Sequence, residues 1–416
     1  MKVVIFSHAH PVFSKGGGEF AAYYLWQEID KTPGHQAWFI GRADARVMHK
    51  FTTLGSIGER DYLIAGDAGI PQLIASTPVG PESDIAQLLL RINPDVVHFH
   101  HYVHLGVDLI RLVRNTCPSA RIVMTLHEYI AICMNNGQMV KTDGRLCHQY
   151  SPRECHLCFP DVSPENFFLR EQYIKSFFKL VDQFISPSEF LRNRYVAWGL
   201  DPARIAVLEN GLPCGERVPL RTLRAGDTRG RFAFFGQINP YKGVDVILEA
   251  FARLPKKVRK LVTLDIFGSG LADQTPEFQE KIKGLLAKCK DAVHLHGPYE
   301  PEEMGRLMAE VDWVVMGSVW WENSPLVIQE AYKFGRPILC PDIGGMAEKI
   351  QNGIGGLHYR ARDSIALSAL INRIVDEPDL HGQLHASLPE YSCIEDVARS
   401  HRKLFEKTPE NIASDL

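Results

Sequence analysis

A chain of 416 residues is longer than a single hydrophobic core usually supports, so two domains are the default expectation. Hydrophobic residues at 45% and charged residues at 23% describe an ordinary globular composition and exclude widespread disorder. A net charge of −3 carries no global signal for nucleic acid, so no nucleic-acid partner is expected.

The N-terminal run MKVVIFSHAHPVF is too short and too polar for a signal peptide. No stretch of about eighteen apolar residues follows it. The expectation is a cytoplasmic protein, and a local basic patch hidden in the net charge leaves peripheral membrane contact open. Lys2–Ser7 reads as a buried strand, and Phe20–Ile29 after it has helical spacing. Between them lie Gly16, Gly17 and Gly18, which lack Cβ atoms and so let a backbone approach a phosphate or sugar. The Gly-x-Gly-x-x-Gly dinucleotide fingerprint is absent, which argues against a nicotinamide or flavin enzyme.

The alternation continues with the helix Asp84–Arg91, the strand Val96–Phe99, the helix Val107–Arg114 and the strand Arg121–Leu126. His98, His100, His101 and His104 crowd one strand end. Strand and turn geometry is expected to splay them, which favours contact of His100 and His101 with an acceptor over a metal. His127 follows the next strand, at the carboxyl edge where open α/β sheets bind ligands. A polar insertion (about 130–162) then holds Cys133, Cys147, Cys155 and Cys158. The last pair is Cys-x-x-Cys, a tight chelate, and so few apolar residues need a staple to keep one shape. A structural zinc, free or reversibly oxidised thiols, and disulfides all fit that pattern. The helix Phe167–Leu180 and the strand Gln183–Ser186 complete the first half.

Asn210–Arg231 opens on a turn signal and is polar and without periodicity, which places the domain break there. In the second half Phe232–Phe235, Leu261–Phe267, Ala292–His296, Trp313–Met316 and Pro337–Cys340 read as strands. Val244–Ala252, Phe278–Lys288, Pro301–Ala309, Leu326–Phe334 and Ile365–Ile374 read as helices between them. Lys242 lies in the turn after the first of these strands, where its ammonium suits a diphosphate. The turns at Gly268 and at His296–Gly297 suit a nucleotide. The segment Trp321–Ala331, WENSPLVIQEA, carries two glutamates, with Pro325 expected as the first helical residue. A helix N-terminus there suits a phosphate. Glu330, inside the helix, suits a ribose diol, and Glu322, before it, a sugar hydroxyl. A final helical stretch, Ile394–Glu406, is expected to pack back across the junction.

The paired-glutamate segment resembles the signature of family 4 glycosyltransferases, retaining enzymes of GT-B architecture. The resemblance runs through the Gly-rich loop, the His127 strand end, the Lys242 turn and the two glutamates, in that order. It implies an α/β fold of two Rossmann-like doubly wound domains facing across a cleft. The expected boundaries are 1–212 for an acceptor-side domain with the Cys-rich insertion, 213–393 for the nucleotide-sugar domain and 394–416 for the returning helix.

It further implies Glu330 on the ribose, Glu322 near the donor sugar, and the Asn323, Ser324, Pro325 and Leu326 backbone near the sugar and diphosphate. His127 would bind the donor sugar, the Gly16–Gly18 loop would lie near the donor phosphate, and the loops at Gly268, His296 and Gly297 would touch the base. The family usually carries an arginine where this chain has Gln237, which leaves Lys242 more of the phosphate charge to balance. His127, Lys242 and Glu322 are the expected catalytic set.

The implied reaction moves a sugar from a UDP- or GDP-sugar to a glycan, lipid-linked or small-molecule acceptor with retention, and requires no cofactor. A sugar-nucleotide epimerase and a non-catalytic sugar-nucleotide sensor are the alternatives. Nucleotide release that depends on acceptor separates the first of these from a transferase, and any turnover excludes the second.

Overall fold

The computed structural model describes residues 1–44, 48, 53–66, 80–289 and 292–406. It divides into two compact units, Met1–Pro213 with Ser392–Leu416, and Cys214–Tyr391. Positions 407–416 of the expected C-terminal segment lie outside the described residues.

The first unit holds a sheet of β1 (Lys2–Ser7), β2 (Gln36–Asp44), β3 (Leu54–Ser56), β4 (Asp61–Gly66), β5 (Val96–His100), β6 (Arg121–Thr125), β7 (Gln183–Ser186) and β8 (Ile205–Val207), in the order β3-β4-β2-β1-β5-β6-β7-β8. Every neighbouring pair is parallel except β3 with β4. Helices cover a parallel sheet on both faces, so its central strands are apolar along their length. That is why β5 is buried at every position and β1 at all but its first. The strands β2 and β8 escape a sequence reading for different reasons. β2 carries Gln36, Arg42 and Asp44 within its nine residues, and β8 has only three.

The second unit holds β9 (Arg231–Phe235), β10 (Thr263–Phe267), β11 (Val293–Gly297), β12 (Trp313–Val315), β13 (Ile338–Pro341) and β14 (Gly356–Tyr359). They form an all-parallel sheet in the order β11-β10-β9-β12-β13-β14. Because side chains alternate along a strand, β9 feeds two cores. Phe232 and Phe234 pack with Ile247, Phe251 and Trp313 on one face. Ala233 and Phe235 pack with Met308, Ile328 and Tyr332 on the other.

The polar stretch 217–231 is anchored within the second unit. Arg221 and Arg229 pair with the fully buried Asp312 at 2.8 and 3.1 Å. Arg336, also fully buried, donates to the carbonyls of Val218 and Pro219, both at 3.0 Å. Lack of periodicity there marks a strap held by charge. The helix Ile394–Glu406 belongs to the first unit, where Ile394, Ala398 and Phe405 pack with Val3, Ile5, Leu25 and Ile29. Among the described residues, no helix is long and apolar enough to cross a membrane.

Candidate functional site

In the second unit the strand ends meet as three linked loops. The N–H of Gly236 donates to Phe267 O at 3.0 Å, that of Ile238 to Ser269 O at 2.7 Å, and that of Gly268 to Gly297 O at 2.7 Å. This ties the turns after β9, β10 and β11 into one surface at the carboxyl edge of the sheet, where parallel α/β sheets take ligands. Within it, Asn239 Oδ1 accepts from the N–H groups of Tyr241 and Lys242, both at 3.0 Å, a local turn that fixes the lysine backbone. Gly243 then starts the helix Val244–Arg253 at φ 63°, and a Cβ there would lie 1.8 Å from Gly317 O. Only glycine permits that contact between the loops after β9 and β12.

The contact brings Lys242 to Glu322, two residues expected to act apart. Lys242 Nζ lies 2.7 Å from Glu322 Oε1, which also accepts from Ser318 Oγ at 2.7 Å and Trp320 Nε1 at 3.0 Å. Glu322 is 5% exposed, so the three donors hold it in one position and offset its loss of hydration. Lys242 keeps more contact with solvent, with its side chain 29% exposed. Ser318 and Trp320 were missed because serine and tryptophan in an irregular loop give no periodic signal. Their separation from Glu322 by four and two positions is the sole trace in the sequence.

Pro325 is the cap of the helix Leu326–Lys333, not its first residue, with ψ at 124°. Asn323, buried, and Ser324, partly buried, precede it in the loop. Glu330 lies one turn into the helix. Burial pushes its carboxyl up to about 7, and the Lys333 charge pulls the other way. Tyr299, also missed from sequence, feels the negative charge of Glu330 and is edge-on to the stacked rings of Phe235 and Phe267. Tyr299, Phe267, His296 and Pro298 line a cavity of about 370 Å³. His296 is an exposed β11 residue that pairs with Asp265 at 2.6 Å and stacks on Phe267. Gln237 is exposed and accepts from Asn239 Nδ2 at 3.4 Å, so no cation stands at that position.

In the first unit Gly16 caps the helix Gly17–Lys31, with Gly17 exposed. A Cβ on Gly18 would sit 3.5 Å from the ring of His8 and 3.6 Å from that of His127, so the loop lies against both imidazoles. Glu19 accepts from Ser14 Oγ at 2.5 Å and faces His8 Nε2 at 3.5 Å. Burial alone would raise the Glu19 carboxyl, but the His8 charge and these bonds bring it down to about 2. Burial pulls the His8 imidazole down more than any single neighbour lifts it, but the Glu19 charge and hydrogen bond, the His100 backbone and the Glu128 charge together raise it, so His8 and Glu19 form an ion pair.

The histidines of β5 do not splay. His100 Nδ1 lies 3.0 Å from His127 Nε2, and the His98 and His100 rings are 4.2 Å apart. His100 and His101 are buried, 2% and 6% exposed, and support their neighbours instead of lining an open surface. Burial and the neighbouring histidines lower His127 to about 3, so its ring is neutral at physiological pH and can only donate or accept hydrogen bonds.

His101 has φ 103°, unusual for a residue with a side chain. Its Nδ1 accepts the N–H groups of Tyr102 and Val103 at 3.0 and 2.9 Å, which leaves Nε2 as the donor to Glu128. Glu128, whose second oxygen takes the N–H of Ile130, is pushed up by burial to about 8.

After Glu128 the chain enters the Cys-rich segment. Cys133, Cys147, Cys155 and Cys158 line one cavity of about 20 Å³. The segment is less polar inside than its composition suggests, since Ile132, Met139 and Val140 are buried. Among the described residues no three of the four sulfurs lie mutually within 4.8 Å, wider than a closed metal cage.

Two α/β units with mostly parallel sheets, of the kind that takes ligands at the carboxyl ends of its strands, define the class of doubly wound α/β proteins. The model described as Glycosyltransferase Family 4 matches residues 15–216, and that described as Glycosyl transferases group 1 matches residues 221–390. Between them they take in most of the chain, which belongs to the group 1/family 4 glycosyltransferases and has the GT-B fold.

Similarity to D-inositol 3-phosphate glycosyltransferase of Streptomyces griseus is 28% over 214 residues, 45% of this chain and 44% of that one. Lipopolysaccharide 1,2-N-acetylglucosaminetransferase of Salmonella typhimurium is 28% identical over 210 residues, 47% of this chain and 54% of that one. The matches thus span about half the length of these curated relatives. Among solved structures, Anabaena HepE in complex with UDP and glucose superposes with a TM-score of 0.68 at 15% identity over 97% of this chain and 99% of that one. Sucrose-phosphate synthase of Thermosynechococcus elongatus gives 0.69 at 16% over the whole of both chains.

Proposed function

We propose that this chain transfers a hexosyl group from a nucleotide-sugar donor, with a UDP-sugar favoured, to a hydroxyl acceptor with retention of anomeric configuration. The Lys242–Glu322 pair, held by Ser318 and Trp320, is the observation that carries the reading. A partly exposed ammonium fixed beside a buried carboxylate can share its charge with an incoming diphosphate without being reoriented.

In this reading Glu330 accepts from the ribose hydroxyls and the loop turns around Gly268 and Gly297 meet the base. Glu322 and the backbone of Asn323–Leu326 hold the sugar end of the diphosphate. Transfer breaks the bond between the anomeric carbon and the phosphate oxygen while the acceptor oxygen bonds to that carbon. The acceptor proton passes to the departing phosphate oxygen, on the face the leaving group vacates. No residue is required as a covalent nucleophile, and no metal is required to balance the diphosphate. In the first unit, His127 binds a sugar hydroxyl as a neutral imidazole, with His100 fixing its ring. His100 and His101 therefore take supporting roles on the acceptor side.

HepE's complex with UDP and glucose supports the uridine choice, and the curated relatives support a sugar-containing or phosphate-bearing acceptor. The test is a thermal-shift screen of nucleotide sugars followed by an acceptor-dependent nucleotide-release assay. Ligand at 100 times its dissociation constant adds about 2.7 kcal/mol to stability. A shift with UDP-sugars and release that needs acceptor are expected. Release without acceptor would favour an epimerase, and binding without turnover a sensor.

A further inference from the structure

We propose that Cys133, Cys147, Cys155 and Cys158 are the four ligands of one structural zinc ion, which shapes the segment behind Glu128. Three separate pieces of chain bring these sulfurs to one place. Cys133 closes a turn after β6, its N–H bonding to Tyr129 O at 2.7 Å. Cys147 ends a small hairpin, with Val140 paired to Leu146 and the Cys147 N–H donating to Met139 O at 2.8 Å. Cys155 and Cys158 share the helix Pro152–Cys158, capped by the Ser151 side chain and packed on the helix Pro164–Phe178.

All four line the same small cavity, of about 20 Å³. Backbone N–H groups of Asn135 and Met139 point at the Cys133 sulfur, the outer hydrogen bonding that metal thiolates use. Four thiols lining one small cavity supply the all-sulfur ligand set of a tetrahedral structural zinc, and soft ligands select against magnesium or calcium. Zinc–sulfur bonds of about 2.3 Å set the sulfurs nearer than they stand here, so the ligands close on the ion as it binds. Each thiol gives its proton to solvent in doing so.

The site has a consequence beyond its own segment. Gly137, one turn after Cys133, bonds through its N–H to Cys133 O at 3.1 Å. A Cβ there would fall 1.9 Å from Glu128 Oε2, so the turn presses directly on the carboxylate that holds His101. Arg170 clamps the same stretch, donating to Ala131 O at 2.9 Å and Ile130 O at 2.5 Å. The ion thus fixes the turn that positions Glu128. It is structural, because four protein ligands leave no open position for water or substrate.

The inference does not depend on the transferase reading. Elemental analysis of the full chain, produced with added zinc and purified without chelator, should give one zinc per chain. Cobalt-substituted protein should show thiolate-to-cobalt charge transfer and the visible bands of a tetrahedral ion. Cys158→Ser should lose the metal, while Cys289→Ser, a buried cysteine of the second unit, should keep it. Should Cys158→Ser fail to fold, thiol titration of the unaltered chain decides the matter, with four additional thiols reacting only after chelation. Protein without stoichiometric metal overturns the proposal, as do four thiols that titrate equally before and after chelation. A disulfide among the four by mass, or full zinc retained by Cys158→Ser, overturns it too.

Discussion

Glu330 makes the sharpest residue-scale statement, because its carboxyl takes up a proton near 7 in the fold and near 4.5 in an unfolded chain. The folded state therefore holds more protons than the unfolded state between those values, and this site's contribution to stability falls as pH rises through that window. Glu330→Gln should flatten that part of the stability profile of the second unit, measured by urea denaturation at stepped pH. An unchanged slope would mean the carboxyl is not held in its protonated form. Lys242 acts on a different quantity. Charge builds on the diphosphate mainly in the transition state, so Lys242→Ala should lower kcat by about 10²–10³ while changing donor affinity little. A rise in KM alone would contradict its role in stabilising the leaving group. Both residues were legible in the sequence, because a lysine and two glutamates sit in recognisable strings. Glu128 and Tyr299 were not, since each matters through a partner distant in the chain, such as His101 for Glu128.

At the scale of elements, the site depends on backbones that touch. Gly243 and Gly317 bring the loops after β9 and β12 together, and that contact lets Lys242 reach Glu322. Gly243→Ala adds a methyl group 1.8 Å from a carbonyl oxygen at a residue with φ 63°, so strain and overpacking combine. A loss of about 1–3 kcal/mol is expected for the second unit, with weaker nucleotide binding, read from denaturation with and without UDP. Stability equal to the parent chain would show that the loops can part at no cost. Strands with continuous apolar runs, such as β1, β6 and β9, were readable because burial on two faces favours that composition. The strands β2, β4 and β14 were not, since their polar or glycine positions break that pattern. The helix Pro152–Cys158 was hidden by cysteines that a sequence reading assigns to chemistry before structure.

For the whole molecule, the chain leaves its first unit after Pro213 and returns at Ser392, and the returning helix Ile394–Glu406 completes the first core. A chain truncated after Tyr391 should therefore lose protection in β1 and the helix Gly17–Lys31 by hydrogen exchange, while the second unit exchanges as before. Equal loss in both units would contradict that assignment. Two-domain organisation followed from length and from the strand–helix alternation. The return of the last helix was only an expectation, because amphipathic spacing shows that a face is buried but not against what. The central claim, that the second unit holds a nucleotide through Glu330, is tested most directly by calorimetric titration of UDP into the parent chain and into Glu330→Ala. At pH 8, above the value near 7 at which the Glu330 carboxyl ionises, measurable binding to the parent is expected, with a loss of about 1.5–3 kcal/mol in the variant, the usual worth of charge-assisted hydrogen bonds to a diol. Equal affinity for both proteins would contradict it.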